Sequence, residues 1–95
     1  MKRFKLSPEA AQDIREIWAY VAADSIQAAR RLRLQILDAC RRIADNPEIG
    51  HRRDDLTEKP VLFWPAGSYL IICAARKPVE IVRVLHSARD IPSLL

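Results

Sequence analysis

Glycine is nearly absent from this chain, with Gly50 and Gly67 the only two in 95 residues. That scarcity argues against a glycine-rich loop cradling phosphate. With only six prolines besides, it leaves little sequence for long flexible linkers. Cysteine is equally scarce. Cys40 and Cys73 share no C-x-x-C spacing and have no histidine at metal-ligand distance along the chain, so both read as buried thiols in apolar stretches. No Ser–His–Asp set, internal repeat or low-complexity segment is present. Long apolar runs are missing too. The longest, YLIICAA (69–75), is strand-sized and far short of the ~20 residues of a membrane span. The basic start, MKRFKLSPEA, is followed by no apolar signal-peptide core. The expectation is a cytoplasmic protein with no membrane partner, no cofactor and no metal.

What is there is a chain for one globular domain spanning 1–95. Apolar residues make up 49% and charged residues 29%, enough for one core between two packed layers. The net charge of +4 is unevenly spread. Residues 1–6 are basic. Residues 8–24 carry Glu9, Asp13, Glu16 and Asp24 against Arg15, and residues 25–46 carry five arginines against Asp38 and Asp45. Adjacent segments of opposite sign point to two helices that pair.

The patterning supports an α+β chain. KRFKL (2–6) alternates as a short strand. Ser7-Pro8-Glu9 is a helix start, with a capping hydroxyl, a proline suited to the first position and an acid for the dipole. Ala10, Ile14, Ile17, Trp18 and Val21 follow at helical spacing, ending near Asp24. A longer helix begins at Asp24 or Ser25, carries Ala29, Leu32, Ile36, Cys40 and Ile43 on one face, and stops at Asn46-Pro47. The short link makes the two helices an antiparallel hairpin. A polar loop covers 47–60. Then 61–64, 68–75 and 79–86 read as strands of an antiparallel meander, with Pro65-Ala66-Gly67 and Lys77-Pro78 as turns. DIPSLL (90–95) is a tail that packs back on the domain.

All three meander strands are apolar on both faces, unlike a sheet with one wet side. A helical hairpin covers one face. The other is expected to form an apolar groove that a second polypeptide covers; the alternative is that the chain's own tail and the 47–60 loop close it.

The ordered set LSPEA (6–10), IWAYVA (17–22), IADNPEIG (43–50), RRDDL (52–56), GSYLIIC (67–73) and IVRVLHSARDIPSLL (81–95) resembles the ParE branch of the ParE/RelE toxins of bacterial type II toxin–antitoxin modules. The resemblance implies a β-α-α-β-β-β fold and an antitoxin partner similar to ParD. It also implies a toxin that poisons DNA gyrase by binding. Candidate antitoxin contacts are Trp18 and the stripe Leu62, Trp64, Leu70 and Ile72, or the opposite face. The contact area expected of a stable pair is at least ~1,000 Å².

The rival is a ribosome-dependent mRNA endonuclease of the RelE kind. Cutting RNA needs a base, an acid and cations on the phosphate, and His86 with Arg83 and Arg89 would supply them. Of the residues the RelE resemblance requires, only the arginine after the last strand is matched, at Arg89. Trp64 stands where the strand-turn arginine belongs, and the C-terminal tyrosine falls near Leu95. A lone Lys59 precedes the sheet, with Arg52 and Arg53 balanced by Asp54 and Asp55. Arg83, His86 and Arg89 are therefore target-binding candidates, no residue is assigned a catalytic role, and direct nucleic-acid binding is not expected. The bland alternative is that they are anchors, Arg83 pairing with Glu80 or Asp55 and Arg89 fixing the tail beside Asp90. A chain that has lost toxicity and only binds a partner is the third reading.

Overall fold

A computed structural model describes residues 3–95; Lys2, the start of the expected first strand, lies outside the described residues. The chain forms β1 (Phe4–Leu6), α1 (Pro8–Ala22), α2 (Ile26–Asp45), a 3₁₀ turn (Pro47–Ile49), β2 (Leu62–Ala66), β3 (Tyr69–Ala74), β4 (Val79–His86) and α3 (Ile91–Leu94). Both long helices start as their sequences dictate. Ser7 Oγ accepts from the Ala10 N–H at 2.9 Å, and Ser25 Oγ from the Ala28 N–H at 3.1 Å. Pro47 forces Asn46 out of helical geometry, to φ −147° and ψ 84°, and α2 ends there. Among the described residues no helix is long and apolar enough to cross a membrane.

The sheet has the order β1-β4-β3-β2. β2, β3 and β4 form the expected antiparallel meander, and β1 joins its end parallel to β4. The second strand runs further than the sequence reading, through Pro65 to Ala66. Pro65 is tolerated because β2 is an edge strand, where a missing N–H costs no ladder bond. The turn is then Gly67-Ser68. Gly67 has φ 61°, a left-handed conformation that side chains disfavour, so Gly67→Ala should cost about 1 kcal/mol in a denaturant titration.

That two-residue turn pairs Ala66 with Tyr69, Trp64 with Ile71 and Leu62 with Cys73. Residues directly opposite share a face. Leu62 and Trp64 therefore lie with Ile71 and Cys73 toward the helices, whereas Leu70 and Ile72 lie with Phe63 on the other side. The expected single stripe of Leu62, Trp64, Leu70 and Ile72 is corrected: it is two pairs on opposite faces.

Both faces are closed. Beneath the helices, Ile36, Cys40 and Ile43 pack on Ile71, Cys73, Ile81 and Val84. On the far side Val61, Phe63, Ile72, Leu85 and Ile91 form a second cluster, with Leu56, Leu70, Val82, Leu94 and Leu95 packed against it. Ile72 is 0% exposed. The tail, as α3, and Leu56 of the long loop thus roof the second face. The expectation that another polypeptide must cover it is overturned: this sheet is small enough for one helical turn and a loop leucine to dry it.

Cys40 and Cys73 are free and buried. Burial raises the Cys40 thiol to about 12, aided by its neighbour Cys73, and pushes Cys73 up to about 11. Because the folded values lie above the ordinary 9.0, the unfolded chain loses these protons first as pH rises. Their contribution to stability is present below pH 9 and is lost as pH rises from there to about 11 for Cys73 and about 12 for Cys40. A thiol reagent at pH 8 should label both cysteines in denaturant and neither at a comparable rate in the native protein; equal rates would contradict their burial.

Candidate functional site

β1 stops at Leu6, leaving the outer edge of β4 without a strand neighbour beyond Ile81. The entrance to α1 fills the gap. The Ser7 N–H donates to the Ile81 carbonyl at 2.9 Å, and Ser7 Oγ donates to the Val82 carbonyl at 2.7 Å. Two turns along, Asp13 Oδ2 accepts the Val84 N–H at 2.9 Å. A side chain on α1 thus does for β4 what a neighbouring strand would do.

The same carboxylate takes Arg83 in a two-pronged grip, Nε to Oδ2 at 2.8 Å and Nη2 to Oδ1 at 2.9 Å. Arg83 Nη1 donates to the Leu94 carbonyl at 2.9 Å. One guanidinium therefore ties α1, β4 and the tail together. Its pKa is held above the ordinary arginine value by the hydrogen bonds it donates to Asp13, which outweigh the cost of partial burial. The expected pairing of Arg83 with Glu80 or Asp55 is corrected. Glu80 is engaged by Arg76 at 3.3 Å and Asp55 by Arg53 at 2.9 Å. Arg52 and Asp54 pair at 3.0 Å, as the balanced RRDD run implied.

Beside this clamp opens a cleft of about 520 Å³, lined by Glu16, Ile17 and Tyr20 of α1 and by Tyr69, His86 and Arg89, among others. Tyr20 is 80% exposed. The His86 ring meets Tyr69 edge-on, with centroids 5.2 Å apart and an angle of 83°. His86 Nδ1 accepts the Ala88 N–H at 3.0 Å, so its proton sits on Nε2 when the ring is neutral. Arg89 is exposed, and its guanidinium makes no ion pair among the described residues. It does not pin the tail through Asp90, as expected; Arg83 holds the tail instead.

The model of the ParE toxin of the type II toxin–antitoxin system parDE matches residues 4–91. The chain belongs to the ParE toxin family. A solved chain described as "Chromosomal ParDE TA system from P. aeruginosa" has the same fold, with a TM-score of 0.72 at 20% identity, over 90% of this chain and 96% of that one. No curated protein matches by sequence.

On this ParE-family fold the remaining candidates are scattered. Trp18 lines a separate groove of about 530 Å³ with Leu6, Ile14 and Leu37, between Arg15 and Arg33. Leu62 and Trp64 are half-buried, and Trp64 stacks on His51 at 6.2 Å. Leu70 is half-buried in the tail-side cluster. Arg83, His86 and Arg89 do converge on one cleft. Asp13 and Tyr20 were not anticipated. Asp13 did leave a signal, since an acid at position 13 interrupts the apolar stripe Ala10, Ile14, Ile17. Tyr20 left none.

Proposed function

We propose that this ParE-family toxin acts by binding rather than by cutting RNA: a ParD-like antitoxin neutralises it, and its target is DNA gyrase. The observation that carries this reading is the state of Arg83. The cation best placed to serve a phosphate spends its guanidinium on Asp13 and the Leu94 carbonyl. Trp64 and Leu95 stand where the RelE resemblance calls for an arginine and a tyrosine. The cleft is lined by Tyr20, Tyr69, His86 and Arg89 among others, a set rich in the tyrosine and arginine that dominate protein–protein hot spots.

Purified toxin added to gyrase and supercoiled plasmid should block supercoiling and leave cleaved DNA. Toeprinting of translating ribosomes should show no new mRNA ends. Unchanged gyrase activity at high toxin excess, or cleavage at the ribosome, overturns the reading. Arg89→Ala should weaken gyrase inhibition about tenfold, as expected for a hot-spot residue, with an unchanged melting temperature. A loss that tracks melting instead would place Arg89 among the structural residues.

A further inference from the structure

The two sides of the sheet end differently. On β2 the outward N–H groups are all disposed of. Val61 donates to the Lys59 carbonyl at 2.8 Å, Phe63 exchanges bonds with His51 at 2.7 and 2.9 Å, and Pro65 has no N–H to offer. That rim admits no further strand. On the other side β1 pairs with β4 only as far as Ile81, because Ser7-Pro8 turns the chain into α1. The lane that β1 would have continued along opens past Leu85 and His86 into the cleft, which Val84, Leu85 and His86 line.

The backbone of β4 has a particular pattern along this stretch. The Ser87 N–H donates to the Ser68 carbonyl at 2.9 Å, which makes Tyr69–His86 and Ile71–Val84 the non-hydrogen-bonded pairs of the β3–β4 ladder. The polar backbone groups of Val84 and His86 therefore point away from β3. Two of these four groups are satisfied within the chain. Asp13 accepts the Val84 N–H at 2.9 Å, and the Arg89 N–H donates to the His86 carbonyl at 3.0 Å. The Val84 carbonyl and the His86 N–H remain, and neither is bonded among the described residues. One residue of a parallel strand, set opposite Leu85, uses an acceptor and a donor at this spacing. An antiparallel strand would need both groups of a single residue, and Val84 and His86 each have one committed.

The side chains around the lane indicate what such a segment carries. Arg83 is neutralised by Asp13, and Glu16 on the α1 wall accepts from Gln12 Nε2 at 3.1 Å. Arg89 lines the same cleft without a carboxylate partner among the described residues, and a guanidinium favours a carboxylate. We infer that the cleft takes an extended segment of the target protein, lying parallel to β4 in the lane β1 vacates, bonded to the Val84 carbonyl and the His86 N–H, with an acidic side chain on Arg89. This rests on the gyrase reading above and adds the mode and the chemistry of the contact.

The test uses the full chain with gyrase holoenzyme. Exchange of the His86 N–H should be fast in free toxin and slow by about tenfold or more on gyrase. His86→Pro removes this outward N–H without touching a ladder bond, as Pro65 does on β2, so it should weaken gyrase inhibition about fivefold beyond His86→Ala. Arg89→Glu should weaken it about fivefold beyond Arg89→Ala, since carboxylate would then face carboxylate. A parent toxin that inhibits gyrase while its His86 N–H exchanges as in the free state overturns the backbone docking and leaves the gyrase reading standing. A parent toxin without effect on gyrase overturns both. Equal inhibition by Arg89→Glu and Arg89→Ala overturns the acidic partner. Should His86→Pro fail to fold, the exchange measurement on the parent decides alone. Protection of the His86 N–H by the antitoxin or in a toxin dimer, and not by gyrase, would name the wrong occupant and refute the proposal equally.

Discussion

Asp13→Ala should lower the unfolding free energy by about 3 kcal/mol, within the range for removing one partner of a buried ion pair. The substitution strips Arg83 of its counter-charge and leaves the Val84 N–H, at the bare rim of β4, without an acceptor. Asp13 is only 6% exposed, so water replaces it poorly. For a domain of this size the loss corresponds to roughly 15 °C in melting temperature. Asp13→Asn should cost less, because its amide oxygen still accepts from Val84. Arg83→Met should also be costly, since it leaves the buried Asp13 carboxylate with no counter-charge even though the Asp13–Val84 bond survives. Urea unfolding with Asp13→Ala below Asp13→Asn in stability is the check, and a loss under about 1 kcal/mol for Asp13→Ala would contradict the clamp.

Ile72→Ala should be comparably damaging, about 2–5 kcal/mol, and for a different reason. Ile72 fills the middle of the tail-side cluster, between Phe63 on β2 and Arg83 on β4. Its truncation leaves a hole that the short α3 and Leu56 close only in part. Antitoxin affinity of the folded fraction should not change, because Ile72 has no exposed surface. Trp18→Ala should show the reverse, a smaller stability loss with a marked loss of antitoxin affinity. Calorimetric titration beside thermal melts separates the two. An Ile72→Ala protein that melts like the parent but binds antitoxin poorly would restore it as an interface residue.

The helical half of the fold was legible in the chain because its signals are local. Ser7-Pro8, Ser25 and Asn46-Pro47 act on neighbours within one turn, and α1 and α2 begin and end where they say. The meander was legible as strands but not as faces. Reading Pro65-Ala66 as turn residues hid the true turn, Gly67-Ser68. A two-residue turn pairs even positions of β2 with odd positions of β3, so a stripe chosen on even numbers alone was bound to split. The site was less legible still. Asp13 and Arg83 are distant along the chain, and no periodicity links them. Position 83 offered nearer acids, Glu80 and Asp55, each claimed in the fold by another arginine. The tail's role turned on how much apolar area a single helical turn can shield, which depends on the width of the sheet and not on any one residue.

The stoppered rim of β2 reaches beyond its own neighbourhood. Molecules that join sheet to sheet in an endless ribbon need two receptive ends apiece. With Phe63 exchanging backbone bonds with His51 and Pro65 lacking an N–H, one end is sealed, and each molecule can only terminate a row and never extend it. Even at high concentration, crowded copies of this fold have no edge-to-edge route into fibres.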